Sequence, residues 1–398
     1  MKQAVIFCGG YGKRLGRISK KTPKPLLKNN GKPFIENIIQ QYSRFNVKKI
    51  LLLCSYKANI FKKKYHNKQI YGCTIRCFIE KTPTGTAGAL RNAKKYLDSQ
   101  FFLSNGDTLV NFNILHLKKY LKKNTLVSMA VLKKKNFNDR YGGIKVTKNN
   151  SIVFINKSSQ YINTGYCLVK KKIINKIRKS FNNFEKDFLK IQSKTSLKAL
   201  ILNKKHNYFL DIGTPKDLKK KKDFLKKFYL KRAVFLDRDG VINKDYGYVH
   251  SYNKIKYINN IKKAVRLLNE NNFYVFVVTN QSGVGRGYYS SIDVKNLHNL
   301  INQDFNKEYA NIDEFVFAPY YKKSKIKFKK KDQLMRKPNT GMVDYLCKKW
   351  QIIKSKSLIV GDKNSDKMLA LNCKIRYCDL SSSTDFYKYL KKSLKIKS

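Results

Sequence analysis

Short apolar runs that stop at polar clusters recur along the whole chain. The first, "QAVIF", breaks into a glycine turn, and "KKILLLC", "TIRCFIE" and "QFFLSNGD" follow. Runs of this length, bounded by turn residues, predict buried strands. Between them "PFIENIIQQYSRF" places Phe34, Ile35, Ile38, Ile39, Tyr42 and Phe45 on one helical face, at the 3.6-residue period of an amphipathic helix. A lysine-rich stretch that reads as helical, "KKKKDFLKKFYLK", then leads to a fresh start. Strands "RAVFL", "FYVFVVTN", "EFVFAP" and "SLIVGD" alternate with helices "NIKKAVRLLNENN", "SIDVKNLHNLINQDF" and "GMVDYLCKKW". Strand–helix alternation run twice predicts an α/β protein of two Rossmann-like three-layer αβα domains, residues 1–225 and 231–398. The glycine turns of the two halves differ, so neither half is a copy of the other.

The polar clusters fall at strand ends: "CGGYGKR", "NGD", "DRDG", "TNQSG" and "VGDKNSD". In open parallel sheets ligands bind beyond the carboxyl ends of the strands. Both halves therefore read as ligand-binding, each with its own site.

Composition narrows the class. A chain of 398 residues with 42% hydrophobic residues can bury a core in each of two domains. The net charge of +61 invites a nucleic-acid partner, but the lysines are scattered through both halves and no nucleic-acid module is present. A lysine bias spread over surface helices accounts for the charge, and its field still favours anionic small substrates. No nucleic-acid partner is expected. The eight cysteines form no CxxC pair, which suits a reduced cytoplasmic protein. The apolar start is too short for a signal peptide, and no run approaches the ~18 apolar residues of a membrane span. A soluble protein is expected, with homo-oligomerisation left open.

In the first half "CGGYGKRLG" fits neither common phosphate loop. Arg14 stands where a P-loop needs Ser or Thr, and Leu15 stands where a dinucleotide fingerprint needs its last Gly. What remains is a turn whose glycines (Gly9, Gly10, Gly12) let backbone N–H groups approach a phosphate chain, with Arg14 and Lys24 to neutralise it. The stretch "GGYGKRLGRISKKTPKPLLKNNGKPFIENII" resembles the opening of sugar-1-phosphate nucleotidyltransferases. "EKTPTGTAGAL", "SNGDT", "RYGGI", "INTGYCLV" and "YFLDIGTPKDL" continue the resemblance, in the family's order, over about residues 1–218. Within the family the heptose 1-phosphate guanylyltransferases look most similar, then the mannose 1-phosphate enzymes.

This resemblance implies a GT-A-like domain that joins a sugar 1-phosphate to a nucleoside triphosphate and releases pyrophosphate. It implies Mg²⁺ on Asp107 and Asp211, Arg14 and Lys24 as catalytic cations, and Gly85 and Thr86 in the nucleotide loop. Lys157 would contact the sugar phosphate. Relatives often carry Glu before that lysine, whereas this chain has Asn156.

In the second half "AVFLDRDGVIN" ends a strand in Asp237 and Asp239, "VVTNQSGVGRG" supplies Thr279 and Asn280, and "MRKPNTGM" supplies Arg336 and Lys337. "IVGDKNSD" adds Asp362 and Asp366. The four ordered motifs resemble the haloacid dehalogenase superfamily over about residues 232–380, in particular its histidinol-phosphatase and heptose-bisphosphate-phosphatase branch. The resemblance implies Asp237 as nucleophile and Asp239 as acid/base. It implies Mg²⁺ held at Asp237, Asp239 and Asp362, and a phosphoryl group held by Thr279, Asn280 and Lys337, with Arg336 toward a distal phosphate. That branch commonly has a Cys/His zinc loop before its RKP motif. Here "FAPYYKKSKIKFKKKDQLMRKP" contains neither residue type, so no zinc is expected and packing must hold the loop.

Taken together, the resemblances imply one chain that removes the 7-phosphate of a heptose 1,7-bisphosphate and then makes GDP-heptose with GTP. A mannose 1-phosphate guanylyltransferase fused to a phosphatase of another sugar phosphate, or of histidinol phosphate, is the alternative. The choice between GTP and ATP stays open at this level.

Overall fold

A computed structural model of the chain describes residues 2–29, 31–133, 143–155, 161–192, 195–202, 208–324, 327–328, 330–380 and 385–394. The chain divides into two compact units, residues 1–225 and 226–398, and the division falls within the helix Pro215–Tyr229.

In the first unit the strands Gln100–Asn105, Gln3–Phe7, Lys49–Cys54 and Cys73–Ile79 lie side by side and parallel, in that order. The parallel core is then extended by antiparallel neighbours. Tyr161–Lys170 runs antiparallel to Gln100–Asn105, and Val127–Lys133 pairs antiparallel with Tyr161–Lys170. A short separate ladder pairs Phe209–Asp211 with Thr108–Val110. The helix Phe34–Arg44 buries Phe34, Ile35, Ile38, Ile39 and Tyr42, as the periodicity predicts.

The second unit is simpler. Among the described residues its sheet has five strands, all parallel, in the order Glu314–Ala318, Tyr274–Asn280, Ala233–Leu236, Leu358–Gly361, Arg376–Asp379. Side chains alternate across a strand, and the central strand shows it. Val234 and Leu236 pack into a core with Ala264, Leu268, Leu297 and Phe386, on the face covered by the helices Ile261–Glu270, Ser291–Lys307 and Phe386–Ser393. Ala233 and Phe235 pack on the opposite face with Met342, Leu346 and Leu369 of the helices Gly341–Lys349 and Asn364–Cys373. A sheet apolar on both faces needs helices on both, which makes the three-layer αβα sandwich. None of the helices is long and apolar enough to cross a membrane, among the described residues.

Candidate functional site

The first unit holds a cleft of about 580 Å³ at the carboxyl ends of its parallel strands, lined by Gly9, Gly10, Gly12, Arg14, Lys24, Gly85, Thr86 and Asp107 among others. Local backbone chemistry builds it. Gly12 adopts φ 65°, and a Cβ there would press on Ser19. Gly106 donates its N–H to Phe7 O at 2.9 Å, and a Cβ on it would strike that same oxygen. The turn that follows carries Asp107, whose Oδ2 lies 2.5 Å from Lys24 Nζ. Lys24 is 8% exposed. Asp211 stands opposite Thr108 in the short ladder, and Ile212 N–H donates to Asp107 O at 3.0 Å. The two aspartates expected to share a cation thus sit on directly paired backbone. Lys157 lies outside the described residues.

The cleft also contains groups to which the sequence reading gave no role. Glu80 lines it, takes a hydrogen bond from Thr84 Oγ1, and has its carboxyl pushed above the ordinary value by burial, against those Thr84 bonds. Asn183 arrives from a distant segment: Ala87 N–H donates to Asn182 O at 3.0 Å and Phe184 N–H to Thr86 Oγ1 at 2.8 Å. Beside it the Glu185 carboxyl meets Asn163, and burial raises its pKa. Glu80 directly follows the strand Cys73–Ile79, whereas Asn183 and Glu185 follow no strand-tip pattern. Their only signal is the polar run "NNFEKD".

In the second unit the site is a set of carboxylates around one ammonium. Asp237 follows the strand Ala233–Leu236, Asp362 follows Leu358–Gly361, and Asp366 sits in the first turn of the helix Asn364–Cys373. Lys337 Nζ lies 2.8 Å from Asp237 Oδ2 and 2.6 Å from Asp366 Oδ1. Oxygens of Asp237, Asp362 and Asp366 all lie within 4.8 Å of one another. Burial, countered by Lys337 and reinforced by Asp237, raises the Asp366 pKa to about 6. Asp362 is raised as well, by burial first and then by Asp237 against the pull of Lys363. Asp362 Oδ1 is buried without a hydrogen-bond partner, and a Cβ on Gly240 would run into the same carboxylate. Three hard oxygen donors converging with one of them unsatisfied suit a divalent cation such as Mg²⁺.

Asp239, expected among the ligands, contributes no carboxylate oxygen to this group. Its carboxylate is held by Arg238 (Nε–Oδ1 3.1 Å, Nη2–Oδ2 2.8 Å), Asn243 Nδ2 (2.9 Å) and Gln281 Nε2 (2.9 Å). The third carboxylate of the cluster is that of Asp366. Thr279, 1% exposed, accepts from Gln281 Nε2 at 3.0 Å. The Asn280 side chain is engaged with the Lys337 backbone, donating to its O (3.2 Å) and accepting from its N–H (3.0 Å), so it positions Lys337. Arg336 donates to Tyr320 O at 3.1 Å, and burial and the nearby Arg286 lower its pKa. In the described part of the segment before Arg336, Arg286 stacks 3.6 Å from the Tyr321 ring, and Tyr320 meets Phe328 edge-on at 5.6 Å.

A family model described as nucleotidyl transferase matches residues 3–227, more than half of the chain. The chain belongs to the nucleotidyl transferase family. A second model, described as polynucleotide kinase 3 phosphatase, matches residues 233–388. The nucleotidyl transferase unit is 34% identical over 221 residues to the D-glycero-alpha-D-manno-heptose 1-phosphate guanylyltransferase of Campylobacter jejuni, covering 54% of this chain and 96% of that one. The second unit is 39% identical over 134 residues to the D-glycero-beta-D-manno-heptose-1,7-bisphosphate 7-phosphatase of Rhodopseudomonas palustris, covering 34% of this chain and 74% of that one. It is 40% identical over 135 residues to the alpha-anomer 7-phosphatase of Burkholderia mallei, covering 34% and 71%. One chain therefore carries a nucleotidyltransferase unit and a phosphatase unit.

Proposed function

We propose that this chain makes an activated heptose in two steps: its second unit hydrolyses the 7-phosphate of D-glycero-D-manno-heptose 1,7-bisphosphate, and its first unit joins the resulting heptose 1-phosphate to GMP from GTP. The observation that carries this is the pairing itself. One relative is named for releasing the 7-phosphate of the alpha-anomer bisphosphate and the other for using the alpha-anomer heptose 1-phosphate, so the product of one unit would be the substrate of the other. Hydrolysis at C7 leaves C1 untouched, so both units must take the same anomer. The guanylyltransferase relative takes alpha, which favours the alpha bisphosphate.

In the phosphatase unit Asp237 attacks phosphorus while the bond to the sugar oxygen breaks, and that oxygen takes its proton from Asp239. Water then attacks the aspartyl-phosphate and gives a proton to Asp239; phosphate leaves and Asp237 is restored. Lys337 and Thr279 hold the phosphoryl oxygens, and Arg336 faces the distal phosphate. Asp237, Asp362 and Asp366 would hold a Mg²⁺ ion, whose charge screens the phosphoryl group from the attacking carboxylate. In the transferase unit Gly9, Gly10, Gly12, Gly85 and Thr86 cradle GTP. Arg14 and Lys24 stabilise charge on the transferring group and on pyrophosphate, Lys157 holds the sugar phosphate, and Asp107 and Asp211 would hold a Mg²⁺ ion. A cytoplasmic location, where GTP is available, belongs to the same proposal.

The test supplies heptose 1,7-bisphosphate, GTP and Mg²⁺, and measures GDP-heptose, phosphate and pyrophosphate. All three products are expected. Turnover of mannose 1-phosphate with no use of either heptose phosphate would overturn the substrate assignment. Asp237→Asn should abolish phosphate release while sparing pyrophosphate release when heptose 1-phosphate is supplied directly.

A further inference from the structure

Arg238 stands between the nucleophile and the acid/base, yet its side chain is 0% exposed. Burying a guanidinium costs several kcal/mol unless charge and hydrogen bonds compensate it. Here it folds back onto its own neighbour. Nε and Nη2 both donate to Asp239 Oδ1, at 3.1 and 2.9 Å, and Nη2 also donates to Asp239 Oδ2 at 2.8 Å. Nη2 reaches Val249 O at 2.5 Å, and Nη1 lies 3.5 Å from His298 Nε2. His298 is itself buried and stacked on Phe315 at 4.7 Å. Burial and the charge of Arg238 hold its pKa well below the ordinary value, so its ring stays neutral and accepts from Nη1.

The carboxylate is equally constrained. Oδ1 accepts from Arg238 and Asn243, and Oδ2 from Arg238 and Gln281. Gln281 is fixed in turn by the Tyr289 hydroxyl at 3.1 Å and by its own bond to Thr279 Oγ1 at 3.0 Å. The side chain expected to pass the proton and the side chain expected to hold the phosphoryl group are therefore linked through one amide.

We propose that Arg238, assisted by Gln281, is a positioning residue of the phosphatase reaction: it fixes the orientation of the Asp239 carboxylate relative to Asp237 and Thr279. The inference rests on the phosphatase reading above. Bidentate geometry fixes both the plane and the direction of a carboxylate, which a lysine cannot do.

The test uses leaving-group chemistry on the full chain with Mg²⁺. An alkyl leaving group such as a sugar oxygen needs a proton as it departs, whereas p-nitrophenolate does not. Arg238→Met should lower kcat on the sugar bisphosphate by about 100-fold, within the ~10²–10⁴ range of general acid catalysis. The pre-steady-state burst of p-nitrophenolate, which reports Asp237 attack before Asp239 is needed as a base, should stay within about five-fold, and KM for the sugar should hardly move. Arg238→Lys should recover part of the loss. Gln281→Met, which removes no charge, should show the same selective loss at about ten-fold, and it decides the matter if Arg238→Met does not fold. A p-nitrophenolate burst that falls as far as sugar turnover, or unchanged alkyl turnover in Gln281→Met, would overturn the proposal. A wild-type chain inactive on both substrates would instead overturn the phosphatase reading beneath it.

Discussion

Lys337 Nζ lies 2.6 Å from Asp366 Oδ1, and neither side chain is more than 2% exposed. Burial alone would lower the Lys337 pKa, but Asp237 and Asp366 outweigh it and the net shift is upward. The ammonium is thus the counter-charge of the acidic cluster. Lys337→Met should leave three clustered carboxylates without it and destabilise the second unit by roughly 3–5 kcal/mol in chelator-treated protein. The single tryptophan, Trp350, packs edge-on to Tyr274 at 4.8 Å in that unit, so its fluorescence reads the unit's urea transition. Mg²⁺ should raise the midpoint of the variant more than that of wild type, because a bound cation then supplies the missing charge. Equal midpoints for variant and wild type without Mg²⁺ would contradict this.

Gly85 adopts φ 70°, and a Cβ built on it would run into Asn182 O. That carbonyl is not free to retreat, because it accepts Ala87 N–H at 3.0 Å. Gly85→Ala therefore meets both a left-handed backbone and a clash, together costing on the order of 1–3 kcal/mol. The expected result is a loss of nucleotidyl transfer of roughly ten-fold or more, with phosphate release unchanged. Transfer at the wild-type rate would show that the fit of Gly85 against the Asn182 carbonyl has no part in nucleotidyl transfer.

The contrast between Asp362 and Asp239 explains how far the sequence could be read. Asp107, Asp237, Thr279 and Asp362 were legible because a strand that ends in a polar residue delivers it to the binding edge of a parallel sheet whatever the rest does. The orientation of Asp239 was not. It is set by Arg238, whose burial depends on partners 11 and 60 residues away, and periodicity carries no such information. The place of Asp366 in the carboxylate cluster was not legible, because it enters from a helix and meets the cluster only through tertiary packing. The antiparallel strands added to the first sheet were illegible for a related reason. An apolar run predicts a strand, but its direction is fixed by which neighbour it finds.

The neutral state of His298 makes stability depend on pH. In the unfolded chain histidine takes up a proton near pH 6.5. In the fold, burial first and the Arg238 charge second keep the ring unprotonated well below that. The unfolded state therefore binds more protons as pH falls, and stability is lost on acidification below about pH 6.5. His298→Asn should shrink the drop in the Trp350 urea midpoint between pH 7 and 5.5. An unchanged drop would place its origin elsewhere.

At lower pH a second pair takes over. Asp304 Oδ2 lies 2.7 Å from Lys262 Nζ and its Oδ1 lies 3.1 Å from Lys307 Nζ, while Lys262 also sits 4.4 Å over the Tyr257 ring. Burial works against the charged carboxylate, but the hydrogen bonds and charges of Lys262 and Lys307 prevail and lower its pKa to about 2. Because the folded pKa is depressed, this contribution is complete above the unfolded value near 4 and disappears as pH falls through about 2. The pair is partly open to solvent, so screening limits it to about 1 kcal/mol. Lys262→Met should lower stability by that amount at pH 6 and flatten the acid dependence between pH 4 and 2. Moderate salt should weaken the wild type toward the variant, since the same screening acts on the pair. A variant whose acid dependence matches wild type would mean that Lys307 alone sustains the ionised carboxylate.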